Sequence, residues 1–99
     1  MLVISRKRLR EFWAVHRDAE GPLRAWFAVA RAVTWRSFSD LRRTIPTADG
    51  VGRCVVFNIG GNKYRLIAAI HFNRGKLYVR RVLTHAEYDR GGWKGECGG

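Results

Sequence analysis

Residues 53–84 read RCVVFNIGGNKYRLIAAIHFNRGKLYVRRVLT, and this stretch decides the fold. Three runs rich in Val, Ile, Tyr and Phe, from Arg53 to Asn58, Lys63 to Phe72 and Lys76 to Thr84, are separated by Gly60-Gly61 and by Asn73-Arg74-Gly75. Branched and aromatic side chains suit a half-buried pleated surface, and Gly and Asn suit the turns between, so the stretch predicts a three-stranded antiparallel meander. A two-residue turn at Gly60-Gly61 sets Phe57 opposite Tyr64 and Val55 opposite Leu66. A second turn of two or four residues then sets Phe72 against Leu77, Ile70 against Val79 and Leu66 against Leu83. This phase gathers the large apolar side chains on one face. The other face collects Lys63, Arg65, His71, Tyr78, Arg80 and Thr84 beside Ile67, Ala69 and Val82, and reads as a basic floor. Arg81 fits badly: it falls on the core side opposite Ala68, where an unpaired charge is costly to bury.

Upstream of the meander the period changes. Leu2-Val3-Ile4 is a short edge strand, and Ser5 is placed to cap a helix in which Leu9, Phe12, Trp13 and His16 recur at helical spacing, with Arg6, Lys7, Arg8 and Arg10 on the other side. Gly21-Pro22 ends that helix and puts a proline in the first turn of a second, whose stripe is Leu23, Trp26, Phe27, Ala30 and Val33. Segment 34–50 reads as a connection with one helical turn near Ser39–Arg43, stopped by Pro46 and Asp49-Gly50. Trp13, Trp26 and Phe27 are core by spacing. Trp35 and Trp93 fall outside the clear periods and read as candidates for exposed stacking or partner binding. The expected order is short strand, helix, helix, three-stranded meander and short C-terminal helix. This gives one α+β domain over 1–90 and a flexible Gly-rich tail over 91–99.

With 99 residues and 11.4 kDa the chain supports one modest core and no separate cofactor lobe. Its charge is the outlier. Nineteen Lys and Arg against eight Asp and Glu give +11, and 15 of the 19 are Arg, whose planar fork grips phosphate at two points and stacks on bases. Nucleic acid is the expected partner. The two cysteines, Cys54 and Cys97, lie far apart and read as neither a disulfide framework nor a zinc module. The three histidines lack the spacing of paired ligands on one helix face, so no metal and no cofactor are expected. No apolar run suffices to span a bilayer, and Met1–Ile4 is too short for a signal, so a soluble, unexported chain in a reducing, cytoplasmic setting is expected, without membrane contact.

The run from Val56 through Gly60-Gly61-Asn62-Lys63-Tyr64-Arg65 to Leu66, and the later run Tyr78-Val79-Arg80-Arg81-Val82-Leu83-Thr84-His85-Ala86-Glu87-Tyr88-Asp89, resemble HigB-type toxins of bacterial toxin–antitoxin systems. The resemblance covers about Val55 to Asp89 most strongly. It implies the RelE-like fold, with two N-terminal helices packed on one face of a small antiparallel sheet. It also implies a ribosome-associated, metal-independent endoribonuclease that cuts translated mRNA and is restrained by a HigA-like helix-turn-helix antitoxin, which would supply the only link to DNA. A noncatalytic basic RNA- or ribosome-binding module is the alternative.

Cleavage through RNA's own 2′-hydroxyl needs a proton acceptor, cations on the phosphoryl oxygens and a proton donor for the leaving 5′-oxygen. On the expected register Arg65 and Arg80 share a face in adjacent strands and converge on one phosphate. His85 follows the last strand, inside a segment where Thr84 and Glu87 form a T-x-x-E capping box, and is the expected acid or base. Tyr88, one helical turn on, donates to phosphate or stacks on a base, or equally closes the core with its ring and exposes only its hydroxyl. Asn62 and Lys63 at the turn, His71 on the same face and Arg81 complete the expected RNA contacts. The basic face of the first helix is a candidate for ribosomal RNA.

Overall fold

The computed structural model describes residues 1–98. Its elements are β1 Leu2–Ile4, α1 Arg6–Val15, a 3₁₀ turn Arg17–Ala19, α2 Glu20–Ala32, α3 Phe38–Thr44, β2 Asp49–Val51, β3 Cys54–Ile59, β4 Tyr64–His71, a 3₁₀ turn Phe72–Arg74, β5 Lys76–Thr84, α4 His85–Arg90 and a 3₁₀ segment Gly92–Cys97. The α+β expectation holds. The sheet runs β1-β5-β4-β3-β2, with β1 parallel to β5 and every other pair antiparallel. Asp49–Val51, where the sequence predicts only a stop at Asp49-Gly50, is a strand. It pairs with Cys54–Val56.

The helices pack on one face of the sheet as their stripes require. α1 buries Leu9, and α2 buries Leu23, Trp26 and Ala30 against Val55, Phe57, Leu66, Leu77 and Val79. Trp26 meets Phe57 edge-on at 5.3 Å. Trp35 joins this core at 1% exposure, its indole N–H donating to Thr44 Oγ1 at 3.2 Å, which corrects the expectation of an exposed ring. Ser5 is also corrected as a cap: it sits at φ 76° and its side chain makes no capping bond. The break between the first two helices falls at His16–Ala19, ahead of Gly21-Pro22, leaving Pro22 in the first turn of α2.

The first hairpin turns over four residues, with Ile59 paired to Tyr64, Phe57 to Leu66 and Val55 to Ala68. This is a shift of two from the expected register, and an even shift leaves every side chain on its face. The second hairpin pairs Ile70 with Leu77 and Ala68 with Val79, then skips Arg80, so that Ile67 pairs with Arg81, Leu66 with Val82 and Arg65 with Leu83. This β-bulge reverses the phase of β5 from Arg81 onward. The badly placed Arg81 thereby leaves the core side, and Leu83 moves to the opposite face.

That opposite face is not the expected basic floor. Cys54, Val56, Ile67 and Leu83 form a second buried cluster, covered by Trp93 and Cys97, with Val51 and Tyr88 packed at its margin. Residues 91–98, expected to be a loose tail, fold back over it, and Gly99 lies outside the described residues. Cys97 is disulfide-bonded to Cys54, a pairing the cysteine spacing did not suggest. Trp93 is 2% exposed and donates its indole N–H to the Tyr88 carbonyl at 2.9 Å, so it too is core. The apolar residues on this face would lose their burial if the segment were free, which is the physical reason for the cover. The Thr84–Glu87 capping box forms as expected: Thr84 Oγ1 accepts from Glu87 N at 3.2 Å, and Glu87 Oε1 accepts from Thr84 N at 2.9 Å.

Candidate active site

Since β1 pairs only with Lys76, Leu77 and Tyr78, the rest of β5 has no strand on that side. A groove of about 710 Å³ runs along this edge. α1 contributes Arg8, Glu11, Phe12, Val15 and His16, β5 contributes Arg80 to Leu83, α4 contributes Glu87, and the C-terminal segment contributes Glu96. Among the described residues neither Arg8 nor Arg80 takes part in an ion pair. Arg81 does: its Nε donates to Glu96 Oε1 at 2.8 Å and its Nη2 bonds the same oxygen. The carboxylate raises the Arg81 pKa, and Arg81 in turn holds Glu96 below the usual carboxylate range. Glu87 is also held low, chiefly by the Thr84 backbone N–H of the capping box, so it is an ionised wall of the groove at neutral pH.

His16 ends α1. Its backbone N–H still bonds Phe12 O at 2.9 Å, and its ring stacks on the Phe12 ring at 4.4 Å and stands 5.5 Å from that of Tyr64. Tyr64 is fixed in turn, donating its hydroxyl to Asp18 Oδ1 at 2.5 Å, while Lys63 forms an ion pair with Asp18 Oδ2. Asp18 is lowered in pKa first by the Lys63 hydrogen bond and then by Tyr64. Its own hydrogen bonds raise both Lys63 and Tyr64.

The expected site residues divide into groups. Arg65, 9% exposed, donates to the Asn62 carbonyl at 3.0 Å, to the Tyr64 carbonyl at 3.2 Å and to Asn62 Oδ1 at 3.3 Å. Its guanidinium lies 5.1 Å over the Tyr88 ring, which stacks on Trp93 at 5.0 Å. The structure thus brings Arg65, Asn62 and Tyr88 together in a stack that ties the β3–β4 turn to α4. Arg80 lines the groove, which Arg65 does not. The expected convergence of these two arginines is corrected: Arg80 lines the groove, whereas Tyr88 with Asn62 occupies the guanidinium of Arg65. His85 lies outside the groove, exposed, with Nδ1 3.0 Å from Asp89 Oδ2. Lys63 is engaged by Asp18, and His71 stands edge-on to Tyr78 at 5.3 Å, toward the other end of the β4–β5 hairpin.

Arg8, His16 and Glu87 are the groove residues that sequence reasoning assigned elsewhere. His16 had one signal, a titratable ring on an otherwise apolar stripe at the end of a helix.

Residues 19–91 match the HigB_toxin family model, described as the RelE-like toxic component of a toxin–antitoxin system. The chain is 40% identical over 52 residues to the mRNA interferase toxin HigB of Escherichia coli K12, a stretch that is 50% of each chain. The mRNA interferase HigB of Shigella flexneri matches to the same extent. Over 93 residues, 91% of this chain and 90% of the relative, it is 26% identical to the mRNA interferase HigB of Escherichia coli O6:H1. The chain therefore spans about half the length of the first two relatives it matches.

Proposed function

The chain belongs to the HigB toxin family of RelE-like toxic components, and from that premise we propose that it is an mRNA endoribonuclease acting in the groove along β5. The observation that carries this reading is the pair of guanidiniums outside any ion pair among the described residues, Arg80 on β5 and Arg8 on α1, lining one groove of about 710 Å³. In the reaction the RNA 2′-oxygen attacks the adjacent phosphorus and the 5′-oxygen leaves, giving a 2′,3′-cyclic phosphate and a 5′-hydroxyl. Charge builds on the phosphoryl oxygens during attack, and cations already in place stabilise it without reorganising. Arg80 takes that role, with Arg8 holding the neighbouring phosphate. Arg81, already partnered by Glu96, contacts RNA at the groove's margin. Arg65 and Tyr88 serve by building the site, since their stack fixes α4 and with it Glu87. Ribosome-bound mRNA in the cytoplasm is the proposed substrate, and a HigA-like antitoxin the proposed restraint.

The test is to add purified protein to translating ribosomes and map the RNA ends. New ends bearing cyclic phosphate are expected, with Arg80→Ala slower by roughly 100- to 1,000-fold while its melting temperature is kept. Bound but intact mRNA would instead assign a noncatalytic binding module. Association should weaken steeply with salt, since phosphate contacts release counterions.

A further inference from the structure

We propose that His16, seated at the end of α1 between Phe12 and Tyr64, is the catalytic acid of the groove and protonates the leaving 5′-oxygen of RNA, a role that rests on the endoribonuclease reading above. His85, the histidine that sequence reasoning favours, stands outside the groove and faces Asp89. His16 lines it together with Arg80. Imidazole is the side chain whose ordinary titration lies nearest neutral pH, so it exchanges a proton where carboxylates and guanidiniums do not.

The ring is held from both sides in sequence and from across the fold. Phe12, one turn earlier, stacks on it at 4.4 Å with an interplanar angle of 25°. Asp18, two residues later, accepts the Tyr64 hydroxyl, and the Tyr64 ring closes the remaining side at 5.5 Å. Tyr64 and Asp18 are therefore positioning residues: they act on the reaction only through the orientation of His16. Such fixing matters because proton transfer falls off quickly with misalignment.

The charged groups facing His16 come from every neighbouring element. Its own helix supplies Arg8 and Glu11, the 3₁₀ turn after it supplies Asp18, and the Tyr64 phenol comes from β4 with Lys63, paired to Asp18, just before it. Arg80 and Arg81 come from β5, Glu87 from α4 and Glu96 from the C-terminal segment. Four cations and four carboxylates balance. RNA entering the groove adds phosphate charge, which favours the imidazolium form that an acid requires. In the step, the O2′–P bond forms and the 2′ proton passes to solvent. The P–O5′ bond breaks, and O5′ takes the proton from the His16 imidazolium. Neutral imidazole is left and regains its proton from water.

His16→Gln, checked for folding by its melting temperature, is expected to cleave about 100-fold more slowly or worse at neutral pH and to lose the limb of the pH–rate profile that falls at alkaline pH. Tyr64→Phe keeps the ring and drops the bond to Asp18. It should lower kcat by roughly tenfold with little change in KM and shift that same limb. A folded His16→Gln protein with the wild-type rate and both limbs intact overturns the proposal. A wild-type protein that leaves mRNA whole refutes the endoribonuclease reading instead. NMR then decides the placement of His16 separately, using a short RNA carrying a 2′-deoxy residue at the cleavage position. Ring signals of His16 that move on its addition support the assignment, and signals that stay fixed while Arg80 responds reject it.

Discussion

The two faces of the sheet carry similar apolar side chains but are covered by different means. The first is packed by α1 and α2, whose stripes announce it, and its cluster includes Leu9, Leu23, Trp26, Phe57 and Leu66. The second is smaller, closed by Trp93 and by Cys97 bonded to Cys54. An unbroken apolar run in a strand, such as Val55-Val56-Phe57, reports that both faces carry apolar residues but not what lies over them. An amphipathic helix is a visible cover. A glycine-rich segment with one tryptophan is not, although the apolar area it buries is worth as much per Å².

Unequal mutations should separate the faces. The largest effect is expected from Leu66→Ala, which opens a cavity in the fully buried first face. It should cost about 2–5 kcal/mol in denaturant unfolding and bring down the whole molecule in one transition. Cys97→Ser releases a cross-link spanning 43 residues and should cost about 2–4 kcal/mol. Hydrogen exchange should then quicken in residues 91–98 while β3 and β4 stay protected, and equal loss of protection throughout would show that the faces are one unit. Thr84→Ala removes the cap of α4 at about 1 kcal/mol, read as a fall in melting temperature. Glu96→Gln should change stability by less than about 1 kcal/mol, because its pair with Arg81 is half exposed.

Acid provides a milder probe of the same comparison. Asp18, Glu87 and Glu96 are all held below the ordinary carboxylate range by hydrogen bonds. Their stabilisation is complete above that range and is lost as pH falls through their lowered values. Two of the three, Glu87 and Glu96, belong to the elements around the second cluster. A melting series from neutral pH downward should therefore show residues 85–98 loosening before the helices of the first face.

Much of the fold was legible because its strongest signals are periodic. The stripes of α1 and α2 and the Gly60-Gly61 turn survive errors in register, since the four-residue turn moved the pairing by an even number. One inserted residue is different. The bulge at Arg80 left a single trace in the sequence, an Arg81 that the expected register does not accommodate. Trp35 and Trp93 were misread because neither belongs to a regular helix or strand, where burial follows a period. Of the residues lining the groove, Arg80 stands out by strand phase together with the family motif. His16 was hidden because a histidine on an apolar stripe looks like a core residue until the fold shows that the stripe ends at a groove.

The bond between Cys54 and Cys97 closes residues 54–97 into a covalent ring that contains β3, β4, β5 and α4. The exposed Arg74 lies inside that ring, at the tip of the β4–β5 hairpin. A protease that nicks the chain after Arg74 therefore yields two polypeptides that travel as one until a thiol reductant parts them.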